Sequence, residues 1–230
     1  MPTDIGKNGL DLIISCEVTS PEYYSVHYQN PSWPGGDSGV TIGIGDDLGY
    51  KTAQELREDW GNELSQTALD SLAECCGIKG SAAQSKAAAL AFLRIPYDSA
   101  QTVFHAYTMP RYVALTQKTF PNCNALPQDC FDALVSLVYN RGVGMTDAPG
   151  DTKQSRLEMR QIFTAMSRED FVAIPTYLRS MKRLWTNGLV ERREREAVLF
   201  QQGLDAALPN AMQSSPSPTV DETAGDQPET

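Results

Sequence analysis

Residues 39–49 read Gly39-Val40-Thr41-Ile42-Gly43-Ile44-Gly45-Asp46-Asp47-Leu48-Gly49, and this stretch decides how the rest of the 230-residue chain is read. Val40, Ile42 and Ile44 alternate with small residues, the period-2 mark of a strand. They point to one face, and Thr41, Gly43 and Gly45 to the other. The second face carries a hydroxyl and then two bare positions, which leave room for a bulky ligand to lie against the backbone. A continuous strand would set Thr41 and Asp47 about 20 Å apart, too far to share one reacting centre. A turn at Gly45-Asp46 is therefore expected, and glycine is the residue that permits one. The plainer alternative is a hairpin whose aspartates only satisfy turn amides.

Working outward, Ile5, Leu10, Leu12, Ile13 and Ile14 give the stretch Asp4 to Glu17 an apolar helical face. Glu17 stands where that helix runs out. The negative end of a helix dipole and an apolar surround both disfavour an ionised carboxylate, so Glu17 is a candidate general acid. A solvated glutamate at a helix end is the competing reading. Residues 18–50 differ in kind, with Tyr23, Tyr24, Tyr28, Trp33 and many Gly and Pro. Helices resume at the capping box Thr52-Ala53-Gln54-Glu55 and are expected at about 81–94, 99–119 (kinked or divided at Pro110), 127–140 (closed by Gly142), 152–166, 167–181 and 187–202. The last is capped by Asn187 and ended by Gly203. The fold class is α+β: a small N-terminal β-rich lobe, about 18–50, packed against a predominantly helical body.

Composition narrows the function. Net charge is −10, with 29 acids against 19 Lys and Arg, which disfavours nucleic acid as a partner because phosphate binding needs a surplus of bases. No apolar run reaches the roughly 18 residues of a membrane helix, so no integral membrane segment is expected. MPTDIGKNGLDLIISCEV does not read as a secretory signal, because Asp11 interrupts a short apolar stretch. Residues 209–230 are rich in Pro, Ser, Thr and acid, with no base, and are expected to form a disordered tail beyond a domain over 1–208. The five cysteines (Cys16, Cys75, Cys76, Cys123, Cys130) are too few for a disulfide scaffold; buried or idle thiols are expected, with Cys123–Cys130 a candidate bridge on oxidation. With two histidines and no C-x-x-C, no metal site is expected.

A protonated glutamate opposite an ionised aspartate, with a hydroxyl nearby to hold water, is equipment for glycoside hydrolysis. The strings "ISCE…GDSGVTIGIGDDLGY", "LVSLVYNRG" and "NGLVERREREAVLF" together resemble a phage-type lysozyme, glycoside hydrolase family 24, in its pesticin-like branch, over roughly residues 8–204. The resemblance implies a lysozyme-like fold and catalytic Glu17, Thr41 and Asp47. Asp46 stands where that branch often has an aromatic residue. Asp37 lies almost where ordinary phage lysozymes place their aspartate, so Asp47 ranks first, Asp37 second and Asp46 third. Asn140, Arg192, Tyr50, Gly43 and Gly45 are the expected substrate-binding residues, with Arg192 matching a family arginine near the catalytic glutamate. Asn140 is equally readable as a helix cap, and Arg192 as a surface ion pair. Tyr23, Tyr24, Trp33, Tyr50 and Trp185 are further candidates to stack on sugars, against a core reading.

The expectation is a peptidoglycan muramidase acting by inversion on the β-1,4 bond between N-acetylmuramic acid and N-acetylglucosamine. No cofactor is implied, the chain is expected to be a monomer, and an immunity or inhibitor protein is a conceivable partner. The acidity and the absence of a signal suit an antibacterial effector or toxin domain, reaching the periplasm or wall of a target bacterium by specialised secretion. A phage endolysin, released by host lysis, is the runner-up. Two rivals are a non-catalytic wall-binding module of the same fold and a cysteine peptidase or amidase using Cys16 with His27 or His105.

Overall fold

A computed structural model describes residues 2–208; the tail expected over residues 209–230 lies outside them. The first helix, α1 (Lys7–Val18), buries Leu12, Ile13, Ile14 and Val18. Gly6 at its N-cap has no side chain to satisfy the first amides. Asp132, more than a hundred residues on, does so instead: its Oδ1 accepts from Gly6 N at 2.9 Å and its Oδ2 from Gly9 N at 3.2 Å. The helix stops in a strained reversal at Thr19, a β-branched residue at φ +63, where Ser20 N donates to Val18 O at 2.7 Å. Ser20 then caps α2 (Pro21–His27), a helix within a segment expected to be rich in strand. Pro21 supplies the fixed φ of a first helical turn.

The strand content is smaller than expected. It consists of β1 (Thr41–Ile42) and β2 (Asp46–Asp47), an antiparallel pair in which Thr41 faces Asp47 and Ile42 faces Asp46. The reversal spans Gly43-Ile44-Gly45, earlier than Gly45-Asp46, and both glycines take positive φ, +58 and +73. Thr41 spends its own N–H and C=O on Ser32. It therefore faces Asp47 in the close, non-hydrogen-bonded kind of pair, with both side chains on one face of the ribbon.

The helical body continues with α3 (Ala53–Trp60), α4 (Gln66–Ala73), α5 (Gly80–Ala89), α6 (Tyr97–Val103) and α7 (Met109–Thr119). Thr52 and Glu55 form the capping box read from the sequence. A π turn, Phe104–Thr108, joins α6 to α7 and absorbs the amide that Pro110 lacks, so the path widens instead of breaking. Next, α8 (Gln128–Arg141) is buried continuously from Cys130 to Val138 and packs against α1, α7 and the C-terminal helix. Gly142, at φ +68, closes it.

Helix α9 (Leu157–Ser167) begins later than Thr152, because the Asp151 carboxylate holds Lys153 N and Ser155 N in a turn. It is followed by α10 (Ile174–Ser180), set between two short 3-10 turns. The last helix, α11 (Gly188–Ala207), is capped by Asn187 and runs straight through Gly203. That glycine serves packing and not termination: a Cβ there would meet Cys130 Sγ at 2.7 Å. All five cysteines are free. Cys123 and Cys130, the pair considered for a bridge, turn to different carbonyls, of Phe120 at 3.2 Å and Phe200 at 3.1 Å. Burial pushes these thiols up to about 11 and about 12.

Candidate active site

The end of α1 delivers Glu17 to a small cavity of about 150 Å³, lined also by Tyr28, Ser32, Thr41, Gly43 and Gly45. Its surround is not the apolar one expected. Arg192 of α11, only 4% exposed, places Nη1 2.7 Å from Glu17 Oε1. Glu17 Oε2 stands on the side of Gly45, 3.8 Å from where a Cβ on that glycine would be. One carboxylate oxygen is thus fixed by a cation and the other faces the hairpin.

Arg192 stands beside Glu17, and it is buried where the competing reading had a surface ion pair. It is turned inward and buried between α1 and α8. Besides Glu17 it reaches Glu196 Oε1 at 3.3 Å and the Ser136 carbonyl and hydroxyl at 3.3 Å. Glu196, fully buried, also accepts from Ser136 Oγ at 2.7 Å and Arg193 Nη2 at 3.0 Å. Burial is the largest influence on Glu196 and raises its carboxyl, against the pull of Arg193 and Arg192. Burial likewise lowers the Arg193 guanidinium. The set is hydrogen-bonded through Glu196 Oε1, while Arg193 Nε and Nη1 and Glu196 Oε2 are buried without a partner among the described residues, a costly arrangement for charges in the interior. Arg193 extends the set to Asn140, whose Oδ1 accepts from Nη2 at 2.8 Å. Asn140 is half-buried, and its amide nitrogen makes no hydrogen bond to a described residue. Arg193 and Arg141 also lie over the Trp185 ring, with guanidinium carbons 5.8 and 4.8 Å from its centre.

On the hairpin, Thr41 Oγ1 is buried and has no hydrogen-bond partner among the described residues. Opposite it, the Asp47 carboxylate accepts from Gly49 N at 2.8 Å and Gly39 N at 2.9 Å through Oδ1, and from Gly39 N at 3.2 Å through Oδ2. These amides fix the carboxylate and leave Oδ2 with spare capacity. The other two aspartates fare differently. Asp46 is taken up by Lys51 Nζ at 2.6 Å and Trp60 Nε1 at 2.7 Å, in a chain that continues through Asp59 to Arg111. Asp37 is exposed.

The two glycines expected to leave room for a ligand also separate. A Cβ on Gly43 would strike the Trp60 ring at 2.7 Å, so Gly43 is bare for the sake of the core. A Cβ on Gly45 would meet Tyr139 Oη at 2.8 Å and face Glu17, so Gly45 is bare toward the site. Past Gly45 a second cavity of about 340 Å³ opens, lined by Asp47, Tyr50, Arg111, Tyr112 and Tyr139 among others. Tyr50 is 67% exposed at its rim, and Lys79 Nζ sits 3.3 Å over its ring. Among the other aromatics, Tyr24 is core and bonds the Ile95 carbonyl at 3.1 Å, Trp33 is half-buried and bonds the Ser38 carbonyl at 3.0 Å, and Tyr23 stacks on His27 with centroids 4.1 Å apart. Cys16 contacts Arg195, and burial raises its thiol, which removes the thiolate a cysteine nucleophile needs. Sequence reasoning passed over Tyr139, although it stands inside the quoted "LVSLVYNRG".

Two cavities meeting at a bare glycine, with a carboxylate from a helix end and a Thr–Asp pair from a hairpin, make a cleft suited to a polymer with many hydroxyls. The chain matches the profile of the phage lysozyme family over residues 24–196, more than half of its length, and it belongs to that family of peptidoglycan-degrading glycoside hydrolases. Thr41, Asp47, Asn140 and Arg192 fall within the matched stretch; Glu17 precedes it and is placed in the site by geometry alone. A search of curated proteins returns no match. No helix among the described residues is long and apolar enough to cross a membrane.

Proposed function

We propose that the protein is a muramidase of glycoside hydrolase family 24, in its pesticin-like branch, cleaving the β-1,4 bond between N-acetylmuramic acid and N-acetylglucosamine with inversion. The observation that carries this reading is the split environment of Glu17: Oε1 is held by Arg192, and Oε2 faces Gly45 in the cavity that also holds the unpartnered Thr41 hydroxyl. In this reading Oε2 delivers a proton to the leaving glycosidic oxygen. Thr41 and Asp47, neighbours across the ribbon, hold the attacking water on the other face of the sugar, and Asp47 takes its proton as the water adds. The two amides on Asp47 hold its carboxylate in place. Asn140 offers an amide N–H to an acetamido carbonyl, and Tyr50 a partly covered aromatic face at the rim.

The acidic composition favours a role as an antibacterial effector or toxin domain acting on the wall of a target bacterium, because it lacks the basic charge by which free lysozymes approach anionic walls. Digestion of purified peptidoglycan, with identification of the new reducing-end sugar, tests the reading. N-acetylmuramic acid at the reducing end is expected. N-acetylglucosamine there, a freed peptide amine, or binding without cleavage would each overturn it.

A further inference from the structure

Tyr139 lies near the end of α8, with its ring fixed on three sides. Tyr112 packs edge-on at 4.7 Å and Phe104 at 5.8 Å between centroids, and the Arg192 guanidinium carbon stands 5.6 Å from the ring centre. A ring held this way can place its hydroxyl in only one direction, toward Gly45. That oxygen would be 2.8 Å from a Cβ on Gly45, and Glu17 Oε2 would be 3.8 Å from the same point. The phenol and the carboxylate therefore converge on one bare spot of backbone, where the two cavities meet.

Tyr139 is half-buried, and its hydroxyl makes no hydrogen bond to any described residue; it opens instead onto the cavity that it lines. A phenylalanine would fill the same packing site without bringing a polar atom to it. Burial is the main reason, with the Glu17 charge adding to it, that the phenol is held well above its ordinary value and remains a neutral donor.

We propose that Tyr139 contacts substrate directly: where the sugar crosses Gly45, its O–H donates a hydrogen bond to one lone pair of the leaving glycosidic oxygen while Glu17 delivers its proton to the other. The inference rests on the muramidase reading and adds a residue to it. Negative charge gathers at the leaving sugar's oxygen as the bond breaks, so a fixed donor beside it is worth more in the transition state than in the ground state. Its loss should then fall on kcat and not on KM. Gly45 must be bare for the sugar to come within reach of both groups.

The test is Tyr139→Phe against wild type on purified peptidoglycan, following reducing ends. The expected result is a fall in kcat of about tenfold with KM within about twofold, since one directed donor is lost. The melting temperature should be unchanged, because the hydroxyl bonds no described part of the protein. The pH profile should keep both limbs in place, because a neutral donor does not titrate there. Wild-type kcat in Tyr139→Phe, a change confined to the melting temperature, or a displaced limb of the pH profile would each overturn the proposal and leave the muramidase reading standing. A wild-type protein that releases no reducing ends would overturn both.

Discussion

Arg192 Nη1 lies 2.7 Å from Glu17 Oε1, and the same guanidinium reaches Glu196 and Ser136. One buried cation thus joins the end of α1 to α8 and α11, and the carboxylate at the cleft is steered by the protein's interior. Removing the cation leaves Glu17 without its partner and the fully buried Glu196 with Arg193 as its only cation. Arg192→Ala is expected to cost about 3–5 kcal/mol of stability, read by denaturant unfolding, and to lower peptidoglycan hydrolysis by at least about tenfold. Arg192→Lys should recover only part of either, because an ammonium cannot span Glu17, Glu196 and Ser136 together. Full activity in a folded Arg192→Ala protein would show that Glu17 needs no such support.

Thr41 and Asp47 face each other across the hairpin, and each is expected to act on the same water. Asp47→Asn keeps an acceptor for Gly39 and Gly49 but cannot take a proton, so activity should fall by about 100-fold or more. Thr41→Ala should lose less, about tenfold, because the hydroxyl orients water without receiving its proton. NMR of the product from the wild-type enzyme should show the α-anomer first. A β-anomer would mean retention and a different role for this pair. Inversion needs the two carboxyl groups roughly 6.5–9.5 Å apart, against about 5–5.5 Å for retention.

The hairpin turn separates two uses of glycine. Gly43→Ala puts a methyl against Trp60 at a positive φ and should destabilise the fold by about 2–3 kcal/mol. The measurement is a thermal melt, and an unchanged midpoint would contradict the packing role assigned to Gly43.

Asp59 carries the pH dependence most open to test. Burial alone would raise its carboxyl, and the hydrogen bonds from Arg111 and Lys51 outweigh that, holding it below the usual carboxylate range. Its folded value lies below that of the unfolded chain, near about 3.9. Its stabilisation is therefore complete above about pH 5 and is lost as pH falls through the folded value. The stability difference between wild type and Asp59→Asn should shrink steadily from about pH 5 to about pH 3. A difference that stayed constant over that range would mean the ion pairs contribute nothing through charge.

Several of these relationships were legible in the sequence because their causes are local. The Thr52–Glu55 capping box, the apolar stripe of α1 ending at Glu17, and the need for a reversal between Thr41 and Asp47 all follow from neighbours within a few residues. The parts that were not legible depend on distant partners. Gly43 is bare because of Trp60, Gly203 because of Cys130, and the uncapped start of α1 is satisfied by Asp132. The helix α2 hid among aromatic and turn residues, its only local sign being Ser20 ahead of Pro21. Arg192 was readable beside the catalytic glutamate only through the resemblance, with a surface ion pair as the rival, and only packing against α8 shows it buried. Tyr139 had no local signal at all, since its significance lies in where its hydroxyl ends.

The central claim is that Glu17 donates the proton that breaks a glycosidic bond, and the most direct measurement is muropeptide release by Glu17→Gln. Glutamine keeps the shape and an oxygen for Arg192 but has no transferable acid proton. The account predicts a folded protein with wild-type melting behaviour and release from purified peptidoglycan reduced by about 100-fold or more. Near-normal release by that folded variant would contradict it.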